Sequence, residues 1–214
     1  MVNVKIGNKI INPKEKPEIK LEAGSGYYKT SWKAEAIKKD MGSITLSSKG
    51  NTVAWGGLYW QYFENLNKIT KAKTPLELTK KVFKKINTNE GKQLIEITKN
   101  TIIKVGDLLT VRIELYSDRD MQFIHMKDMR ASGVEPVSVL SEYKWQDGLG
   151  YYQSTKNAST DFFFSNLPKG SYVFEYDIRA NNAGEFSNGI TSIQNMYAPE
   201  YTSHSNGSTI SIKK

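Results

Sequence analysis

Cysteine is absent from the 214 residues. Disulfides, thiolate metal sites, a cysteine nucleophile and a thioester carried on this chain are therefore excluded. Histidine occurs only at His125 and His204, about 80 residues apart and without an H-x-x-x-H spacing. Two such separated imidazoles do not make a zinc signature or a convincing Ser-His-Asp triad. No apolar run approaches the ~18–20 residues that a membrane span requires. Phosphate-cradling and dinucleotide-binding glycine patterns are missing. The segment Gly184-Glu185-Phe186-Ser187-Asn188-Gly189 carries one residue too many before its serine for a G-x-S-x-G elbow. The opening residues Met1 to Ile11 show no basic n-region, apolar core or small-residue cleavage site. The chain is expected to be cytoplasmic or to be a piece of a longer secreted protein.

Arginine is missing from the first half. Residues 1–105 hold 20 lysines and 9 acids, a balance of +11; residues 106–214 hold 10 basic residues and 13 acids, a balance of −3, and the two sum to +8. A basic half raises the question of nucleic acid or an anionic surface. Readers of nucleic acid favour the planar fork of arginine, so no nucleic-acid partner is expected, and the lysines read as a solvated surface.

Short strands separated by turn signals are what the sequence does contain. Residues 2–11 predict a hairpin turning at Gly7-Asn8. The prolines of 12–17 interrupt it, and further strands are expected at 18–22, 27–33, 43–48 and 52–60. In the aromatic run 54–63, Gly56 and Gly57 suggest a bulge or close backbone contact. Residues 64–75 are polar and Lys-rich and read as a linker. Strands are expected again at 76–86, where the Lys pairs also fit a helix, and at 92–98. Leu109, Val111, Ile113 and Leu115 alternate with Thr110, Arg112 and Glu114, as in a half-buried strand. Strands at 122–130 and 161–167 follow, with an irregular stretch from 131 to 160 between them. Tyr172, Phe174, Tyr176 and Ile178 share one face of the next strand. This spacing predicts an all-β sandwich.

Few residues suggest chemistry. Asp118 and Asp120 flank an arginine in a turn, without the further oxygen ligands of a calcium loop. N-x-S sequons stand at Asn157 and Asn206. Trp55, Trp60, Trp145, Tyr151 and Tyr152 are candidates for surface stacking of sugars, which makes a carbohydrate-binding or adhesin module one reading. That reading needs several of these rings side by side on the surface. An enzyme would need two carboxylates facing each other across a pocket, and no pair is singled out. No cofactor is expected.

The motifs narrow this further. G-E-F-S-N-G-I-T-S-I-Q-N-M-Y-A-P-E-Y-T-S-H-S (184–205) resembles the C-terminal signature of bacterial α2-macroglobulins. Residues 105–115, the D-M-R-A-S-G-V-E-P segment (128–136), the L-P-K-G-S-Y-V-F-E-Y-D-I-R-A segment (167–180) and A-W-G-G-L-Y-W-Q-Y-F (54–63) fit the same region. The resemblance implies an immunoglobulin-like macroglobulin β-sandwich over 66–214, comparable to a receptor-binding domain. It implies a partial CUB-like β segment, the second half of such a domain, over 1–65. Such a half-domain should lack strands and expose an apolar edge or face. The family's members are periplasmic or cell-surface protease traps whose last domain packs on a helical thioester domain. The implied partners are therefore upstream domains of the same polypeptide and, indirectly, target proteases; no direct membrane span is implied. Met196, Tyr197, Pro199 and Glu200 match the segment that shields the thioester. The thioester cysteine and the bait region belong to other parts of such proteins.

Overall fold

The computed structural model describes residues 2–12, 20–21, 27–48, 53–89, 91–98, 100–146 and 148–214. The chain divides into two compact units between Tyr59 and Trp60.

The first unit contains β1 (Val2–Ile6), β2 (Lys9–Ile11), β3 (Lys20–Leu21), β4 (Tyr28–Lys29) and β5 (Ile44–Ser48). The hairpin of β1 and β2 turns at Gly7, whose φ of 56° favours glycine. β1 also pairs with β5, in the order β2-β1-β5. Ile6 and Ile11 form a small core with Val4, Tyr28, Trp32, Met41 and Ile44 packed on it. Ile10 and Leu46 stay exposed. The strand expected at 27–33 is confined to Tyr28–Lys29, paired with Lys20–Leu21. Most of the predicted 18–22 strand, and the prolines at 13 and 17, lie outside the described residues. The strand expected at 52–60 does not form over 53–60. Its backbone finds no partner strand, and an isolated strand leaves its amides to water. Nor does a close contact explain the glycines: Gly56 has nothing near its Cβ direction, and Gly57 meets only the Tyr59 ring.

The second unit runs β6 (Leu76–Thr88), β7 (Gly91–Glu96), β8 (Ile103–Lys104), β9 (Leu108–Ser117), β10 (Met121–Met129), β11 (Val134–Pro136), β12 (Glu142–Gln146), β13 (Leu149–Thr155), β14 (Ser159–Leu167), β15 (Gly170–Ala180), β16 (Gly184–Ser187), β17 (Thr191–Asn195), β18 (Thr202–His204) and β19 (Thr209–Lys213). A six-stranded sheet has the order β12-β13-β14-β10-β17-β18, a five-stranded sheet the order β11-β15-β9-β6-β7, and a small sheet the order β16-β19-β8. The alternation read on β9 and β15 is what builds the core. Leu109, Val111, Ile113 and Leu115 are buried, as are Phe174 and Ile178. Across from them stand Ile124, Met126, Phe162, Phe164 and Ile193 in one continuous cluster. Residues 76–88 are strand rather than helix, because both edges of β6 are used, by β7 and by β9. The stretch 131–160 is not irregular: β12 and β13 form a hairpin.

Two expectations about lysine and linker change here. Lys80 is not solvated. Its side chain is 3% exposed, and Nζ lies 2.8 Å from Oδ1 of Asp128, which is wholly buried. Lys80 also donates to the carbonyls of Met129 and Asn188. Thr191 and Tyr176 hydroxyls donate to the same Asp128 carboxylate. Three acceptors satisfy the ammonium, the condition for a buried charge to be tolerated. Burial and then the Asp128 charge push the Tyr176 phenol well above the usual tyrosine range. Lys84 pairs with Asp107 and Lys85 with Asp177, each at 2.6 Å. Part of the lysine excess of residues 1–105 therefore meets acids contributed by the other half of the chain.

The polar stretch 64–75 is also not a free linker. After a 3-10 turn at Leu66–Lys68, Ala72 exchanges two backbone hydrogen bonds with His204. Gly207 N–H donates to Ile69 O, and Lys71 N–H donates to Oδ1 of Asn206 at 2.6 Å. Thr74 N–H and hydroxyl meet the Ser203 hydroxyl at 2.9 Å. The segment extends the six-stranded sheet beyond β18.

Candidate functional site

The residues between β17 and β18 form a compact projecting loop. Asn195 governs it. Its Oδ1 accepts the N–H groups of both Tyr197 and Ala198 at 3.0 Å, an Asx-type turn. Its Nδ2 donates to Gln122 O at 3.2 Å. Asn195 N–H donates to Tyr201 O and Tyr201 N–H to Ala198 O, which closes the loop. Thr202 Oγ1 donates to Pro199 O at 2.6 Å. With the backbone so satisfied, the side chains are free to project. Met196 is 60% and Tyr197 80% exposed; Pro199 and Glu200 are exposed beside them. Large apolar groups held open on a braced loop are what a docking surface requires.

Below the loop lies a hollow of about 700 Å³ lined by Arg119, Asp120, Phe123, Asn195, Tyr197 and Tyr201 among others. The Arg119 guanidinium pairs with Asp118 at 2.7 Å and sits 5.8 Å over the Tyr201 ring. The hydrogen bond from Arg119 draws the Asp118 carboxyl below the usual aspartate value. Asp120 Oδ1 accepts Lys169 N–H at 2.7 Å. Both carboxylates of this turn are thus occupied, Asp118 by Arg119 within the turn and Asp120 by the Lys169 N–H of the turn between β14 and β15. A second groove contains Glu175 and Asp177. Arg112 holds the first at 2.5 Å, and Lys85 and Thr110 hold the second at 2.6 and 2.7 Å. Neither hollow presents two free, facing carboxylates of the kind glycoside chemistry needs.

The two histidines are engaged separately. His125 Nε2 lies 2.9 Å from Asp161 Oδ1, and its ring stacks on Phe163 at 4.7 Å. Burial alone would raise the Asp161 carboxyl; hydrogen bonds from His125 and Lys156 bring it below its ordinary value. His204 Nδ1 faces Ser205 O at 3.2 Å.

The aromatic candidates differ in burial and in the unit they belong to. Tyr151 is a correction: it is 4% exposed, edge-on to Phe174 at 5.2 Å, because alternation along β13 turns it into the core. Its neighbour Tyr152 turns outward beside Tyr143, ring centroids 5.8 Å apart. Trp145 is exposed over Gly150, where a Cβ would stand 3.1 Å from the indole. Trp55 stacks on Tyr27 at 5.8 Å within the first unit. Trp60 is exposed at the start of the second.

The sandwich has counterparts among known proteins. The profile of the bacterial alpha-2-macroglobulin MG10 domain matches residues 76–200. The chain belongs to that family. Residues 76–200 of the second unit are accordingly an MG10 domain, and the match ends within the exposed loop. Salmonella alpha-2-macroglobulin reacted with methylamine is similar in fold, with 13% identity, a TM-score of 0.54, and 68% of this chain covered against 10% of that one. Escherichia coli alpha-2-macroglobulin activated by porcine elastase aligns with 13% identity and a TM-score of 0.56, over 68% of this chain and 14% of that one. Over 110 residues the chain is 21% identical to Circularly permutated Ras protein 2 of Dictyostelium discoideum, which is 51% of this chain and 3% of that protein. The chain therefore spans a small part of each relative's length. Among the described residues, no helix is long and apolar enough to cross a membrane.

Sequence reasoning found the loop residues through the M-Y-A-P-E motif, but it missed Asn195 and Phe123. An Asn followed two and three residues later by backbone donors is an Asx-turn signal, and it stood directly before the motif. The Lys80–Asp128 pair left no local signal, since its members are far apart in sequence.

Proposed function

We propose that this chain is a non-catalytic interaction region of an alpha-2-macroglobulin-type protease trap, acting at the periplasm or cell surface. Its MG10 domain docks on an upstream thioester domain of the same polypeptide through the 195–201 loop. Target proteases are engaged only indirectly, by the assembled trap. The carrying observation is the pair Met196 and Tyr197, 60% and 80% exposed on a loop whose backbone is braced by its own hydrogen bonds. In this role Met196 fills an irregular surface, while Tyr197 excludes water and keeps a hydrogen-bonding tip. Pro199 sets the turn after them, and Glu200 marks the polar rim. The same reading makes residues 1–65 the second half of a CUB-like domain. The three-stranded sheet with Ile10 and Leu46 exposed supports this, as does the unpaired run from Val53 to Tyr59.

The test uses the full-length protein. Met196→Ala and Tyr197→Ala should each speed the loss of methylamine-reactive thioester. Unchanged loss, or no thioester at all, would refute the shielding role.

A further inference from the structure

Phe123 is the only non-glycine residue with positive φ among the described residues, at 56°. A bulky aromatic residue in the left-handed region is a genuine outlier, and such strain persists only where the surroundings fix it. It interrupts β10. Inward-facing Ile124, Met126 and Asp128 alternate along the strand, yet Gln122 and Phe123 are exposed in succession and Met121 is buried again. The left-handed residue sits at this change of phase, which the facing β14 shares: Ser165 and Asn166 are exposed between buried Phe164 and Leu167. Met121 stays in the core and the Phe123 side chain is raised to the rim, 47% exposed.

What it meets there is the loop. The Phe123 ring stands edge-to-face with Tyr197, centroids 5.1 Å apart and planes at 78°. Phe123 O accepts the Met196 N–H at 2.9 Å. The preceding carbonyl, Gln122 O, accepts from Asn195. One strained residue thus meets both loop residues, the Met196 backbone through its carbonyl and the Tyr197 side chain through its ring. An 80% exposed tyrosine has no core to hold its rotamer, and Phe123 supplies the missing wall.

We infer that Phe123 is the positioning residue of the docking surface, holding the Tyr197 ring in its projecting orientation and adding its own exposed edge to the contact. This rests on the docking role of the 195–201 loop proposed above. Only the ring is needed for the positioning, since any residue supplies the carbonyl. Glycine at this position keeps the backbone without strain, so Phe123→Gly separates the ring's role from a structural one.

Two measurements test it. In the 214-residue chain, three-bond NMR couplings about the Tyr197 χ1 bond should report one dominant rotamer. Phe123→Gly should give rotamer-averaged couplings at an unchanged or raised unfolding midpoint, and Phe123→Tyr should restore the single rotamer. Couplings that stay unaveraged in Phe123→Gly, or a lowered midpoint with global loss of dispersion, would overturn the inference. In the full-length protein, Phe123→Gly should shorten the lifetime of the methylamine-reactive group by about 2- to 12-fold, the range an edge-to-face aromatic pair supports. If Met196→Ala and Tyr197→Ala shorten that lifetime and Phe123→Gly does not, the positioning role fails and the docking role stands. If none of the three shortens it, the docking role fails, and the couplings alone decide whether Phe123 positions Tyr197.

Discussion

Two stretches of this chain display aromatic side chains to solvent, and they do so in opposite ways. Between Val53 and Phe63 the rings of Trp55, Tyr59, Trp60, Tyr62 and Phe63 are exposed on a backbone without strand or helix. Between Asn195 and Tyr201 the exposed Met196 and Tyr197 stand on a loop closed by its own hydrogen bonds and backed by Phe123. Equal exposure therefore conceals unequal preparation. Whatever backbone freedom the first stretch keeps is lost when it meets a partner, at an entropic cost of roughly 1–2 kcal/mol per residue fixed. The second is ordered before anything arrives, which is the arrangement that strengthens binding without adding contacts.

That contrast can be broken from beneath. β17 feeds the loop, and Thr191 at its start is tied to the buried Asp128. Asp128→Ala strands the Lys80 ammonium in the interior. We expect a loss of about 3–5 kcal/mol in the second unit, read by urea unfolding, and the loop's order should go with it. A loss below 1 kcal/mol would mean that the ion pair is not what supports the sheet. The next effect comes from the side. A Cβ on Gly207 would lie 1.7 Å from Leu66 O, so Gly207→Ala must shift the segment bonded to β18. The cost should be about 1–3 kcal/mol, with amide exchange accelerated first at Ala72 and His204. Smaller still is Asn195→Ala. It removes the acceptor of two N–H groups that lie near water, and about 1 kcal/mol is expected, seen as faster exchange at Tyr197 and Ala198 with the core amides unchanged. The smallest effect belongs to the unprepared stretch. Trp55→Ala should change the stability of the isolated chain by no more than about 0.5 kcal/mol, because the ring contributes little core burial; a larger loss would show that the 53–63 stretch is supported after all.

The parts of this fold that the sequence made legible are those ruled by local repetition. β9 and β15 announce themselves because each alternates over a long half-buried run, and their inward residues are the core. The loop was legible as a motif resemblance, not as a geometry. What escaped was non-local or conditional. Residues 53–60 have strand composition but no partner, and composition does not reveal whether a partner exists. The β12–β13 hairpin was overlooked although Asp147-Gly148 separates two alternating runs, the commonest hairpin signature. Tyr151 and Tyr152 look alike in sequence, and only the phase of β13 sends one inward. Lys80 sat in a run of lysines that read as solvated, and its acidic partner comes from a strand of the other sheet. Phe123 had no signal at all, since left-handed geometry at a bulky residue is imposed by its surroundings.

The segment bonded along β18 has a mechanical meaning. Ala72 and Lys71 are joined to His204 and Asn206, and Pro75 O accepts Asp118 N–H from the turn beside the hollow. Tension arriving through residue 69 would not be borne by the core of the sandwich. It would peel along the rim that carries the projecting loop, so the path by which the chain enters this domain is also a handle on its most exposed side chains.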